Sequence, residues 1–161
     1  MTLTIAAMIY AATLTLANLS IAYFGPASIP VNAFVLIGLD LALRNWLALK
    51  MSARQMLALI AAAAAMSWAL NPASGRIAAA SFAAFALSAL ADWAAFRLAR
   101  GAWLKRCLGG VTIGAAVDSL AFPLLAGFSL AYAPGLFAAK VAGGAVWAWA
   151  LSRVVRAEGS A

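Results

Sequence analysis

The chain has 161 residues, 67% of them hydrophobic and 9% charged, with a formal net charge of +7. Soluble domains carry about 25% charged residues, and a chain of this size cannot hide so much apolar surface within itself, so a water-soluble globule is excluded and lipid is the expected solvent. With one cysteine and no histidine, an internal disulfide is excluded, and zinc or haem ligand sets have almost nothing to draw on.

A spanning helix needs about 20 mostly apolar residues, and six segments qualify. The first covers about 3–23. No basic run precedes MTLTIAAMIY, so it reads as a retained helix and not a cleaved signal. It stops at FGPASIP, where Gly25, Pro26 and Pro30 break it. The second covers about 31–49. The third, about 54–70, is Ala-rich and short, and ends at NPASG. The fourth covers about 76–99 and the fifth about 108–131. The sixth covers about 134–155, with Pro134 suited to a first helical turn. The expected architecture is an all-α integral membrane protein: six transmembrane helices in one compact bundle over 1–161, with connections too short for a second domain.

Basic residues set the expected orientation. Arg44, Lys50 and Arg54 surround the 2–3 connection. Arg97, Arg100, Lys105 and Arg106 surround the 4–5 connection, and Arg153 and Arg156 follow the last helix. The 1–2 and 5–6 connections carry none, and the 3–4 connection carries only Arg76. Basic loops stay inside, so both termini are expected in the cytoplasm, across a bacterial inner membrane. The +7 charge therefore points to the membrane and not to nucleic acid.

Several residues do not belong in lipid. Helix 1 has Thr15 and Asn18, helix 2 has Asp40 and Arg44, and helix 4 has Ser81, Ser88 and Asp92. Helix 5 has Thr112, Asp118 and Ser119, and helix 6 has Lys140. Four unpaired charges at mid-membrane would together cost on the order of 10 kcal/mol, so these groups should face one another or a wet interior. Ser81, Phe85, Ser88 and Asp92 share one face of helix 4 by their 4-3-4 spacing. Gly114 or Ala115, Asp118, Phe122 and Leu125 do the same on helix 5, where Pro123 frees the carbonyl of Ser119. Lys140, Gly143 or Gly144, and Trp147 share a face of helix 6, and the glycines permit close approach.

Asp40–Arg44, one turn apart, and Asp118–Lys140 are candidate structural ion pairs. Thr15 and Thr112 are expected to bond back to their own helices. Phe85, Phe122 and Trp93 are by default packing residues, and Trp147 and Trp149 are candidate interface anchors. Packing alone leaves the set unexplained, because three acids and a lysine on four helices are an expensive way to hold a small bundle together.

Some chemistries drop out. No G-x-x-x-x-G-K-[ST] is present, so no P-loop drives the chain. Histidine-dependent nucleophile pairs are excluded. LDLALR and AVDSLAF lack the glycine-flanked aspartates of intramembrane aspartyl proteases, and the spaced acids of head-group transferases are missing too. No enzyme activity and no cofactor is expected, and no channel filter is evident.

Three ordered blocks resemble the queuosine-precursor transporters of the vitamin uptake transporter family: VNAFVLIGLDLALRNWL, GRIAAASFAAFALSALADWAAFRL and VTIGAAVDSLAFPLLAGF. The resemblance spans roughly residues 17–150. Its acids fall on Asp40, Asp92 and Asp118, its basic residues on Arg44 and Arg76, and a last-helix lysine on Lys140. It departs in the shortness of this chain and its connections. It implies import of a 7-deazaguanine (7-cyano-7-deazaguanine, its aminomethyl form, or queuine) for queuosine in tRNA. The substrate-binding set would be Asp40, Arg44, Asp92, Asp118, Lys140, Asn18, Ser88, Phe85 and Phe122. Asp118 and Asp92 would read the donor edge of the base, Asp40–Arg44 would orient or gate it, and Phe85, Phe122 or Trp93 would stack on it. The alternatives are an importer or binding subunit for another small heterocycle or vitamin, and a non-transporting membrane interaction protein. Facilitated diffusion, proton or ion coupling, and an energising partner all remain open, as does a homodimer that supplies two moving halves.

Overall fold

A computed structural model describes residues 2–70 and 75–159. Helix α1 is Leu3–Phe24, α3 is Ala53–Leu70, α4 is Gly75–Leu98, α5 is Trp103–Ala126 and α6 is Ala133–Gly159. Between α1 and α3, α2 spans 29–47 in three consecutive pieces: Ile29–Asn32, a π turn Ala33–Ile37, and Gly38–Leu47. Short 3-10 turns, Gly25–Ser28 and Leu130–Tyr132, precede α2 and α6. Among the described residues there is no strand.

Among the described residues, four stretches are long and apolar enough to cross a membrane: Leu3–Ile21, Ala79–Leu98, Trp103–Ala126 and Leu130–Ala157. A shorter apolar stretch, Ala53–Ala63, lies in α3. The NPAS segment expected to end α3 lies outside the described residues.

Three boundaries depart from expectation. Pro30 opens α2 instead of breaking the chain, because a proline in the first helical turn gives up an N–H that has no partner there anyway. Helix α5 begins at Trp103, five residues early, and ends at Ala126. Its stop is Gly127, whose φ of 78° is left-handed and whose N–H closes onto Pro123 O. Pro123 itself stays inside the helix, one turn from the end. Helix α6 runs past 155 to Gly159.

The second helix lies at the centre. Every residue from Asp40 to Leu47 is buried, whereas the other long helices expose an apolar face. It packs against α1, α5 and α6 and touches α4. Its contact with α6 is backbone on backbone. A Cβ on Gly38 would lie 2.7 Å from Gly143 C, and a Cβ on Gly143 would overlap Phe34 O. Glycine is required where two helix backbones meet this closely.

The π turn fits this contact. The Gly38 N–H reaches back five residues to Ala33 O, and the indole of Trp147 donates to Val35 O at 3.1 Å. Trp147 thus acts as a clamp between α6 and α2. Trp149 is 54% exposed and lies under Arg153 at 4.0 Å, an arrangement suited to a membrane interface. Thr15 and Thr112 bond back to Ala11 O and Leu108 O, as expected of helix hydroxyls.

Candidate polar chambers in the bundle

The end carrying the 25–28 and 127–132 connections is called upper here, and the end carrying 48–52 and 99–102 lower. The 4-3-4 face of α4 is buried throughout: Ser81, Phe85, Ser88 and Asp92 are each no more than 6% exposed. On α5, Gly114, Ala115, Asp118 and Phe122 are buried, but Leu125 is 46% exposed. Leu125 drops off the interior face in the last turn of the helix, two residues beyond Pro123.

The charged residues form two groups. In the upper group, Lys140 of α6 donates to Asp118 of α5 at 2.5 Å, both buried. Ser81 donates to Asn18 Oδ1 at 2.8 Å and ties α4 to α1. Asn18, Phe85, Asp118, Phe122 and Lys140 line a cavity of about 40 Å³. That is room for a few waters.

The lower group is organised by Arg44. Its guanidinium donates to Asp40 Oδ2 at 2.5 Å and to Ser88 Oγ at 3.1 Å, and lies 4.0 Å from Asp92 Oδ2. Ser88 in turn donates to Gly114 O at 2.9 Å. Asn45 donates to Asp92 Oδ1 at 2.9 Å and to Leu41 O at 3.0 Å. One cation therefore joins carboxylates from α2 and α4, with a hydroxyl that also grips α5. Tyr10 of α1, fully buried, sets its hydroxyl against the Asp40–Arg44 pair. Glycine again makes the fit. A Cβ on Gly110 would overlap Asp92 Oδ1, and one on Gly114 would lie 3.0 Å from Asp92 Cβ. Arg44, Asn45, Asp92 and Trp93 line a second, lower cavity of about 20 Å³.

The nine expected site residues therefore separate. Asn18, Phe85, Asp118, Phe122 and Lys140 share the upper chamber. Arg44 and Asp92 line the lower one, and Asp40 and Ser88 stand between as partners of Arg44. Asp92 and Asp118, expected to read one edge together, line different cavities. Trp93 is 37% exposed and also lies at the lower cavity, away from Phe85 and Phe122. Asn45 was missed, although an amide next to Arg44 in LRNWL was a signal. Asn32, two positions after Pro30, was missed as well.

Above the upper chamber lies a larger apolar recess of about 320 Å³, walled by Pro30, Pro123, Phe128 and Tyr132. Ile29, Phe122 and Leu136 line both spaces. These three side chains are shared by the small chamber, with its buried ion pair, and the larger recess. Phe122 is braced by Phe128, with ring centroids 5.8 Å apart. Among the described residues, no three of His, Cys, Asp and Glu gather as a metal cage.

Compared with models of known families, with curated proteins and with solved structures, the chain matches none.

Proposed function

We propose that this chain is a bacterial inner-membrane importer of 7-deazaguanine queuosine precursors. In this reading it crosses the membrane six times, with both termini in the cytoplasm and the upper end outside. The 19-residue second helix and the 18-residue third, at about 1.5 Å rise per residue, reach roughly 27–29 Å, just short of a core of about 30 Å and within the range of about 17–25 residues used by spanning helices. Basic residues support the orientation: Lys50, Arg54, Arg97, Arg100, Lys105, Arg106, Arg153 and Arg156 all lie at the lower end.

One observation carries the transport reading. A buried acid–base pair, Asp118–Lys140, lines a small cavity that shares Ile29, Phe122 and Leu136 with a larger recess, and a second ionic group lies on its other side. A guanine-like base presents adjacent N–H donors on one edge and a carbonyl beside them. A carboxylate accepts from the first and an ammonium donates to the second. Phe85 and Phe122 offer ring faces in the same chamber. Ligand sites for small molecules run from about 300 Å³, so the recess is of ligand size, whereas the chamber of about 40 Å³ must widen to admit the solute. Entry then requires Ile29, Phe122 and Leu136 to part, and exit requires Arg44 to release its bonds. The solute is thereby held between two barriers, as alternating access demands.

The test is rescue of tRNA queuosine in a bacterium lacking both precursor synthesis and its own importer. Expression of this chain should restore it when a 7-deazaguanine is supplied. Asp118→Asn should lower initial uptake at least about tenfold, the scale of one lost charge-assisted hydrogen bond, with protein levels in the membrane unchanged. Full rescue by that variant, or no rescue by the native chain, would reject the reading. Proteoliposome uptake with and without a pH gradient then separates facilitated from proton-coupled entry.

A further inference from the structure

Asn32 is 7% exposed and lines the upper chamber beside Asn18, Asp118 and Lys140. Its amide nitrogen faces three oxygens: Ser20 Oγ at 2.5 Å, Ala17 O at 3.4 Å and Ser28 Oγ at 3.5 Å. With both serine protons donated elsewhere, all three accept. Ala17 O is a carbonyl. Ser20 spends its proton on Ala17 O at 3.0 Å, and Ser28 spends its own on Gly25 O at 2.9 Å. The reversed amide would press an oxygen against three lone pairs, so the NH2 must face α1 and the 25–28 turn. The side-chain carbonyl is thereby held on the other side. Among the described residues it has no hydrogen-bond partner.

The π turn explains how one helix serves both chambers. Asn32 and Asp40 are eight positions apart. At about 100° per residue they would stand about 80° out of line. The extra residue of a π turn takes up about 100° and returns them to within about 20° of one line. Without it, either the Asp40–Arg44 pair would turn away from Ser88 and Asp92 or Asn32 would leave the cavity wall.

We infer that Asn32 is a solute-reading residue: its carbonyl oxygen, fixed by Ser20, accepts one N–H of a heterocycle bound in the upper chamber. This rests on the transporter reading above and deepens it. Asp118 is paired with Lys140, whereas the Asn32 oxygen carries no formal charge and has no internal partner to give up. It selects a ligand with an N–H at one position and rejects an isostere lacking it, because a buried acceptor left unpaired is costly.

The experiment measures equilibrium binding of 7-cyano-7-deazaguanine and three analogues to the purified full chain in lipid nanodiscs. Each analogue lacks one donor: the 2-amino group removed, N1 methylated, or N9 methylated. The native chain should bind at least one analogue about tenfold more weakly than the parent, as expected for one unpaired buried acceptor. Asn32→Leu should abolish the discrimination against one analogue and leave the other ratios unchanged. Ser20→Ala, which loosens the amide without removing its oxygen, should reduce the same ratio by a smaller factor. That milder variant carries the test if Asn32→Leu does not fold. Equal weakening of all four ligands, or unchanged ratios in both variants, overturns the inference and leaves the transport reading standing. If the native chain binds none of the four, the transport reading fails first and this inference with it.

Discussion

Arg44→Met is expected to destabilise the folded bundle by about 3–5 kcal/mol, the range measured when one partner of a buried ion pair is removed. Arg44 is 2% exposed and is bonded to Asp40 and Ser88, with Asp92 at 4.0 Å. Methionine fills much of the same volume, so the loss is electrostatic and not a cavity effect. Two carboxylates from different helices would then face each other with no cation between them. Asn45 would still hold Asp92, and Gly114 O would still hold Ser88, so the damage should centre on Asp40. The double variant Asp40→Asn/Arg44→Met should therefore be more stable than Arg44→Met alone, a non-additivity that a packing role would not produce. Arg44→Lys should fall between, since one ammonium cannot reach Asp40 and Ser88 as the two arms of a guanidinium do. Reversible unfolding in mixed detergent micelles reads all three. An Arg44→Met curve superimposed on that of the native chain would mean that the lower group does not hold the bundle together.

Much of this centre was legible in the sequence, for a simple reason. In a chain with 9% charged residues, a charge inside an apolar run has few places to go, and the energetics force a partner. Asp40–Arg44 follows from one-turn spacing, and Asp118–Lys140 from the need to neutralise two lone charges. The division into two chambers was not legible, because it depends on how far α4 and α5 are offset along one another. That offset is set by Gly110 and Gly114, whose missing side chains admit the Asp92 side chain. Nor was the central place of α2. LDLALRNWL carries polar groups on more than one face, which reads as a helix with a poor lipid face. Burial on all sides is the solution, and only the assembled bundle displays it. The π turn was hidden too, since AFVLI has no residue that announces it. It arises from Gly38 on Gly143 and from Trp147 on Val35 O, contacts 105 and 112 positions apart in sequence.

Gly143→Ala and Gly109→Ala should act in opposite directions, although they are the same chemical change in two long helices. At Gly109 an added Cβ meets nothing within 4 Å. There alanine removes the backbone freedom that glycine keeps in the unfolded chain, and it should stabilise by about 0.4–1 kcal/mol. At Gly143 the new methyl would overlap Phe34 O, and neither partner can turn aside, because both atoms belong to helix backbones. The α2–α6 contact must open, which costs about 1–3 kcal/mol by analogy with overpacked cores. Opening it also pulls Val35 from Trp147 and shifts the π turn that sets Asn32 against Asp40. Under the transporter reading, Gly143→Ala should therefore lose more uptake than its loss of folded protein explains. Gly109→Ala should transport as the native chain does. Unfolding curves and initial uptake rates, each normalised to folded protein, give the comparison. A Gly143→Ala protein as stable and active as Gly109→Ala would show that the close approach of α2 and α6 is dispensable, and that the π turn needs another cause.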